Sequence, residues 1–226
     1  MALKIACLHA HESNIAYIQG MRVPVGMSWT HYVDPGLIAR IGADASFTEQ
    51  RAREHVANQL DWMARADADA ILITCTNYIA LLDESQKTVN LPILKIDAPF
   101  FEEICRRAGP QALLFTNPAT VEGTMRRLYD YTERRKLSRP EIETVVLPGA
   151  FDLIMRGEKE AYLQVVQAEL SRLLDAEPAR SVSVAQLSMV DAAAQAEAAY
   201  GVTIGHPLRP LAGAVAALAS ELGGRR

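Results

Sequence analysis

The chain lacks several features that would each mark a particular class of protein. No apolar stretch approaches the roughly 20 residues that a transmembrane helix needs. No block of Lys and Arg indicates a nucleic-acid surface, since 23 basic and 27 acidic residues are scattered along the 226-residue chain. No segment matches a phosphate-binding loop or the glycine pattern of a dinucleotide site. We therefore expect no membrane span, no nucleic-acid partner and no phosphate-loop or dinucleotide site.

Cysteine is also scarce. The chain has three cysteines, Cys7, Cys75 and Cys105, and no two of them have Cys-x-x-Cys spacing. The odd number and the wide spacing disfavour a disulfide framework or a structural zinc site. The segment HAHE, residues 9–12, is a weak metal signal because it offers only two His separated by one residue, and we predict no metal. The apolar stretch at the start is too short for a signal peptide, so a cytoplasmic protein is expected.

Short apolar segments alternate with longer amphipathic ones along the chain. Six segments have the length and β-branched content of buried strands: residues 3–9, 70–74, 92–96, 112–116, 142–147 and 182–187. Helical periodicity occupies residues 46–66, with Ser46 as a possible N-cap, and residues 158–176. Continuously hydrophobic strands that alternate with helices indicate a mainly parallel sheet covered on both faces, so the predicted fold class is α/β.

A weak internal repeat favours two similar halves over ordinary α/β folding without repetition. Aligning Cys75 with Ser188 gives an offset of 113 residues, and aligning His9 with Thr116 gives 107. We therefore predict two pseudo-symmetric lobes. Their predicted boundaries are residues 1–97 plus 206–226 for the first lobe and residues 98–205 for the second. Ligands of open α/β sheets bind beyond the carboxyl ends of the strands, where these four aligned residues would lie.

Cys75 differs from the other thiols in its position. It stands where a predicted strand ends and a helix begins, and Thr76 and Asn77 after it can cap that helix. A helix N-terminus lowers the pKa of a thiol below its free value of about 8.5 and attracts anions through its unpaired N–H groups. One turn can thus supply a reactive thiolate and a site for a carboxylate. Cys7 in a strand and Cys105 on a helix are predicted to be structural.

Two segments, ILITCTN (71–77) and LLFTNPATVEG (113–123), resemble the aspartate/glutamate racemase superfamily, which includes hydantoin racemases, maleate isomerases and arylmalonate decarboxylases. The resemblance implies two α/β lobes, a cofactor-independent active site in the cleft between them, and a homo-oligomer. In the racemases, two cysteines work on opposite faces of the substrate's α-carbon. The resemblance also implies that the substrate carboxylate is bound by Thr76, Asn77, Thr116, Asn117 and Thr120.

The second racemase cysteine is missing. The matching segment VAQLSMVDA (184–192) places Ser188 there, and a Ser hydroxyl is too weak an acid to exchange protons unaided at neutral pH. In one interpretation Cys75 acts alone as the nucleophile of an isomerase. In another it is the single proton donor of a decarboxylase, although that branch resembles the reverse arrangement, with its cysteine in the second lobe. In the third, His9 or His206 replaces the second thiol of a racemase.

Other polar residues near the predicted strand ends complete the candidate site. His9 ends the first strand and either faces the cleft or caps the strand end. His206 precedes Pro207 at a strand-to-helix junction, where it is a candidate for substrate binding. Asn14 is a plausible polar contact in the same region. Ordinary surface or partly buried positions are predicted for His11, His31 and His55.

The sequence thus predicts a cofactor-independent isomerase or racemase that acts on a small carboxylate or cyclic amide. Cys75, Ser188 and His9 are the catalytic candidates. One alternative is a single-cysteine decarboxylase of a malonate-type acid. The other is a small-carboxylate binding protein that has lost catalysis.

Overall fold

The computed structural model describes residues 3–82 and 89–224, which form two compact units. The first unit comprises the residues up to Ala98 and those from Leu211 onward, and the second comprises Pro99–Pro210. Each unit contains its own parallel sheet. None of the described helices has the length and apolarity that crossing a bilayer requires.

The first unit is built on a four-stranded sheet in the order β2-β1-β3-β4. Its strands are β1 (Leu3–His9), β2 (Met27–Val33), β3 (Ala70–Ile73) and β4 (Ile93–Lys95). Its helices are α1 (Asn14–Gln19), α2 (Gly36–Ala43), α3 (Glu49–Ala64), α4 (Thr76–Ala80) and, from the end of the chain, α10 (Leu208–Gly223), whose first residues belong to the second unit. All strand pairs are parallel, as the continuous hydrophobicity predicted.

The central strands of this sheet are those that the sequence marks most clearly. All four residues of β3 are buried, and so are six of the seven in β1. The edge strand β2 was not predicted, because its sequence MSWTHYV mixes polar with apolar residues and none of its residues is fully buried. An edge strand needs less apolar surface, so its hydrophobic signal is weaker.

The second unit has a three-stranded parallel sheet in the order β6-β5-β7. Its strands are β5 (Gln111–Phe115), β6 (Ile142–Val146) and β7 (Ser181–Val184). Its helices are α5 (Asp97–Arg106), α6 (Val121–Arg135), α7 (Ala150–Met155), α8 (Lys159–Ala176) and α9 (Val190–Tyr200), with single 3-10 turns at Pro118–Thr120 and Leu187–Met189. The core beside β5 and β7 is filled mainly by α8 and α9, which contribute residues such as Val166, Leu170 and Ala193.

The two sheets repeat one topology. Each places its first strand in the middle, so that β1 lies between β2 and β3 while β5 lies between β6 and β7. At the strand ends, Thr74 N donates to Leu8 O at 3.0 Å, and Ala185 N donates to Leu114 O at 2.9 Å. These equivalent bonds make Thr74 the counterpart of Ala185.

This register corrects the alignment made from the sequence. One residue further on, Cys75 is the N-cap of α4, and Gln186 is the N-cap of the 3-10 turn in the second unit. Gln186 is therefore the counterpart of Cys75, and the alignment with Ser188 was wrong by two residues. The pairing of His9 with Thr116 was similarly wrong by one residue, because Leu8 corresponds to Leu114. Both shifts lie in the turns after the strands, where the two halves differ in sequence and offer no common residues to align.

The two predicted helices are present, with corrections at their starts. The first begins at Glu49, with Thr48 as N-cap, because the Thr48 hydroxyl accepts from Arg51 N. Ser46 does not cap it, since its hydroxyl instead donates to Asp44 at 2.6 Å. On this helix Met63 is buried, whereas the neighbouring Trp62 is 72% exposed.

Two adjacent valines on α8 give a matched test of the second unit's core. Val166 is fully buried, whereas Val165 is 39% exposed. We expect Val166→Ala to lower the free energy of unfolding by about 2 kcal/mol through lost burial and a residual cavity. Val165→Ala should change it by less than about 0.5 kcal/mol. Urea unfolding of both variants measures the difference, and equal losses would contradict this packing.

Candidate functional site

Cys75 lies at the carboxyl end of β3 and is half-buried. Its carbonyl accepts from Ile79 N at 3.1 Å, which starts α4, and its side chain makes no capping bond. The expectation that Thr76 or Asn77 caps this helix was wrong, because they are the first two residues of α4 and follow the cap. With five residues α4 is short, so the dipole at its N-terminus is weaker than that of a longer helix.

The residue before Cys75 is held by a fully buried histidine. His9 Nδ1 lies 2.8 Å from Thr74 Oγ1, and Thr74 Oγ1 donates to Leu8 O at 3.2 Å. Because the Thr74 proton is directed to a carbonyl, His9 must donate from Nδ1. Asn14 at the start of α1 adds a second donor to Thr74, at 3.4 Å. His9, Asn14 and Cys75 are thus brought together around Thr74.

His31 extends this network from the neighbouring strand. Its Nδ1 lies 2.9 Å from His9 Nε2, and since His9 carries its proton on Nδ1, His31 must donate here. Burial, followed by His31, lowers the pKa of His9 to about 4, and burial also lowers the pKa of His31. Both imidazoles are therefore neutral at pH 7. The role of His31 could not be inferred from the sequence, because β2 was not predicted and only the pairing of β1 with β2 accounts for its approach to His9.

In the second unit the network centres on Gln186. Its Oε1 accepts from Thr116 N at 2.7 Å, from the Thr116 hydroxyl at 2.8 Å and from Asn117 N at 3.3 Å. All three partners are donors, so they fix the orientation of the amide with oxygen inward. Two of the residues that the family resemblance assigned to a substrate carboxylate, Thr116 and Asn117, therefore donate to a side chain of the protein instead. Gln186 was not predicted as a site residue, because the alignment of the two halves placed Ser188 opposite Cys75.

Ser188 belongs to a chain of hydroxyl groups that ends at Gln186. Its Oγ lies 2.7 Å from the Tyr162 hydroxyl, which lies 3.3 Å from Thr116 Oγ1. Because Thr116 donates to Gln186, it accepts from Tyr162, and Tyr162 in turn accepts from Ser188. Burial raises the pKa of Tyr162, although its hydrogen bonds with Ser188 and with Thr116 act to lower it. The Ser188 proton is thus directed into the protein.

The remaining predicted binding residues have local partners. The Asn117 side chain accepts from Ala119 N at 3.0 Å, and the Thr120 hydroxyl donates to Asn117 O at 2.8 Å, so both stabilise the 3-10 turn. His206 is 8% exposed, and its Nδ1 has no partner among the described residues. Burial lowers the pKa of His206 to about 4. The charge of Arg209 also acts to lower this pKa, whereas that of Glu197 acts to raise it. No described hydrogen bond links it to Gln186 or Ser188.

Cys7 and Cys105 are free thiols whose surroundings raise their pKa values. Cys7 lies within β1 and is fully buried, and burial raises its pKa to about 12. Cys105 lies on α5, where burial and the nearby Glu102 raise its pKa. Both thiols are therefore protonated at pH 7. His11, which the sequence placed in solvent, is exposed and bonds only to Ser13 in the described contacts.

Comparison with known proteins identifies similar chains. The family described as Asp/Glu/Hydantoin racemase matches residues 29–215. Aspartate racemase from Picrophilus torridus is 12% identical, with a TM-score of 0.68 over 97% of this chain and 95% of that one. Allantoin racemase from Pseudomonas fluorescens is 12% identical, with a TM-score of 0.61 over 98% and 92% of the two chains.

An arylmalonate decarboxylase is also 12% identical, with a TM-score of 0.60 over 94% of this chain and 92% of that one. At such identities the three structures establish a shared fold and no more. No curated protein matches the sequence.

The neutral buried histidines predict a loss of stability in acid. The folded-state pKa values of His9 and His206 are about 4, below the ordinary value of 6.5. Above about pH 6.5 both residues are neutral in the folded and the unfolded chain, so their contribution to the free energy of unfolding is fully present there. As the pH falls toward 4, the unfolded chain binds protons that the folded chain does not, and the free energy of unfolding decreases.

Urea unfolding between pH 7 and pH 4.5 measures this slope. The slope of the free energy of unfolding against pH is proportional to the number of protons that the chain takes up on unfolding. In His206→Gln this number should fall by up to about one. In His11→Gln, a control at an exposed histidine, it should not change. A free energy of unfolding that is independent of pH over this range in the unmodified protein would contradict the assignment.

Gln186→Ala removes the acceptor shared by three donors. We expect a loss of about 1–3 kcal/mol in the free energy of unfolding, because buried donors without partners are costly. Gln167→Ala is the control, since the Gln167 amide contacts Gln195 at the surface. A loss no larger than that of the control would show that solvent replaces the Gln186 oxygen.

Proposed function

Because the chain belongs to the Asp/Glu/hydantoin racemase family, we propose that it is an enzyme that uses the Cys75 thiolate on a small carboxylate, in a racemase- or isomerase-type reaction. The observation that carries the proposal is the position of Cys75 at the end of β3, half-buried and at the start of α4. Cys7 and Cys105 do not compete for this role, because burial keeps both protonated. The catalytic thiol is therefore Cys75.

The chemistry differs from that of an enzyme with two catalytic thiols. At the position equivalent to Cys75 the second unit carries Gln186, and a primary amide does not exchange protons at neutral pH as a thiol does. Ser188 does not take over this task, since its proton is donated to Tyr162. We therefore assign catalysis to one thiol.

One reaction that needs a single thiolate is cis-trans isomerisation of an unsaturated acid. The sulfur adds to one alkene carbon, a C–S bond forms, and the π electrons move onto the carboxylate as an enolate. Rotation about the new single bond follows, and the same C–S bond then breaks to restore the alkene. The enolate is the charged intermediate, and hydrogen-bond donors arranged beforehand stabilise it most.

Thr76 and Asn77 are the proposed donors to the substrate carboxylate in the first unit, because they directly follow Cys75 in α4. Thr116 and the Asn117 backbone would contribute only if the Gln186 side chain moved away, since its oxygen now accepts from Thr116 N, the Thr116 hydroxyl and Asn117 N. Thr120 would contribute only if its hydroxyl turned away from Asn117 O. In the present position Gln186 would offer its amide N–H groups instead. His9 acts as a positioning residue, because both of its ring nitrogens are already bonded, one of them to Thr74, the residue before Cys75.

Decarboxylation of a malonate-type acid is the second candidate, favoured by the same single thiol. In that reaction the C–C bond to the carboxylate breaks, CO₂ leaves, and the electron pair remains as an enediolate. The Cys75 thiol would then donate its proton to the carbanionic carbon and be reprotonated from solvent. A binding protein without turnover is the third possibility, in which the thiol has no chemical role.

Turnover by NMR in D₂O distinguishes these reactions. The substrates are maleate, amino acids, hydantoins and substituted malonates, and the variants are Cys75→Ser and Cys105→Ser. We expect one class to be converted by the unmodified chain and by Cys105→Ser, and turnover by Cys75→Ser to fall by at least 10³-fold, a loss on the order of 4 kcal/mol in transition-state stabilisation.

The product identifies the reaction. Fumarate from maleate indicates isomerisation, loss of CO₂ indicates decarboxylation, and α-deuterium in both enantiomers indicates racemisation with a second acid or base. Equal turnover by Cys75→Ser, or no conversion of any class, would contradict the proposal.

A further inference from the structure

A cysteine and two histidines converge on one face of the first sheet. Cys7 and His31 are direct partners in the register of β1 and β2, so their side chains point to the same side. His9 follows Cys7 by two residues in β1 and therefore points the same way. The Cys7 sulfur and one ring nitrogen from each histidine all lie within 4.8 Å of one another.

The hydrogen bonds of this cluster leave one nitrogen without a partner. His31 donates from Nδ1 to His9, so its Nε2 carries a lone pair. That Nε2 is buried and has no hydrogen-bond partner among the residues that the structure describes. An unpaired buried acceptor is costly, and a bound group that accepts its lone pair would remove the cost.

We propose that Cys7, His9 and His31 bind a divalent transition-metal cation of the Zn²⁺ type. Thiolate sulfur and imidazole nitrogen are the ligands that Zn²⁺ takes in proteins, and three protein ligands leave a fourth position for water. The cluster contains no carboxylate, which disfavours Mg²⁺ and Ca²⁺.

Thr74 supplies the outer support that a metal-binding histidine needs. Its hydroxyl accepts the Nδ1 proton of His9 at 2.8 Å, which leaves His9 Nε2 as the nitrogen that faces the other two ligands. Such a bond to the remote ring nitrogen fixes the tautomer and orientation of histidine ligands generally. The same Thr74 precedes Cys75, so the cation would stiffen the turn that carries the proposed catalytic thiol.

Binding is balanced by the loss of one proton. The S–H bond of Cys7 breaks, the sulfur–metal bond forms, and the thiol proton goes to solvent. The hydrogen bond between His31 Nδ1 and His9 Nε2 breaks, the His31 ring turns so that its Nε2 faces the cation, and two nitrogen–metal bonds form in its place. Each neutral ring keeps its single proton, on the nitrogen that does not bind the cation. A dication beside the buried thiolate compensates the charge that burial alone would disfavour.

The proposal is tested by titrating chelator-treated full-length protein with Co²⁺ and then with Zn²⁺. We expect one Co²⁺ per chain, with the near-ultraviolet charge-transfer absorption of a cobalt–thiolate bond, and displacement of Co²⁺ by one equivalent of Zn²⁺. Cys7→Ser should lose the absorption, whereas Cys105→Ser should keep it. The readout is independent of turnover, so it stands or falls separately from the proposed function.

His31→Gln is the second variant, because His31 is only partly buried and its replacement perturbs the core less than a change at Cys7. We expect more than about tenfold weaker Zn²⁺ binding by calorimetry, since losing even an outer-shell partner costs roughly 10–100-fold. His55→Gln, at an exposed histidine, should bind normally. Substoichiometric binding by the unmodified chain, or a cobalt–thiolate absorption that persists in Cys7→Ser, would overturn the proposal.

Discussion

In each unit, a side-chain hydrogen bond joins the end of the first strand to the turn after the third. In the first unit it runs between His9 and Thr74, and in the second between Thr116 and Gln186. These two strands are neighbours in both sheets, so the bond links the carboxyl ends of the same pair of strands in each unit. It also fixes the backbone turn at which Cys75 or Gln186 is presented. The position of the proposed catalytic thiol therefore depends on a buried polar contact as well as on the hydrophobic strand before it.

The direction of each network follows from its last acceptor. In the first unit the Leu8 carbonyl can only accept, which orders the protons of Thr74, His9 and His31. In the second unit the Gln186 oxygen has the same effect on Thr116, Tyr162 and Ser188. The histidine and the serine that the sequence suggested as acid-base partners are thus committed to internal hydrogen bonds. A one-thiol mechanism, in which the other polar groups position and stabilise, is the chemistry that such an arrangement favours.

The sequence predicted the parts of the fold that depend on apolar burial. Among the residues that the structure describes, six of the seven strands were predicted correctly from hydrophobic segments, as were the parallel sheets. The family was predicted correctly from the motifs around Cys75 and Thr116. The predictions failed where a polar edge strand or a short turn decides the outcome. His31 was missed because it reaches His9 only through strand pairing between β1 and β2. Gln186 was missed because the alignment of the two halves was wrong by two residues in a turn. Hydrophobic periodicity does not reveal such an error, since the turn has no regular apolar pattern.

The role of Cys75 is tested most directly by competitive alkylation, which needs no knowledge of the substrate. The native protein is treated with limiting iodoacetamide at pH 7, and modification of each thiol is followed by peptide mass spectrometry. Cys75 and Cys105 are both half-buried, so they form a matched pair, while buried Cys7 reports unfolding. We predict that Cys75 is modified faster than the other two thiols in the native protein. This difference in rate should disappear when the protein is denatured first. Equal rates at Cys75 and Cys105 in the native protein would contradict a catalytic thiolate at Cys75.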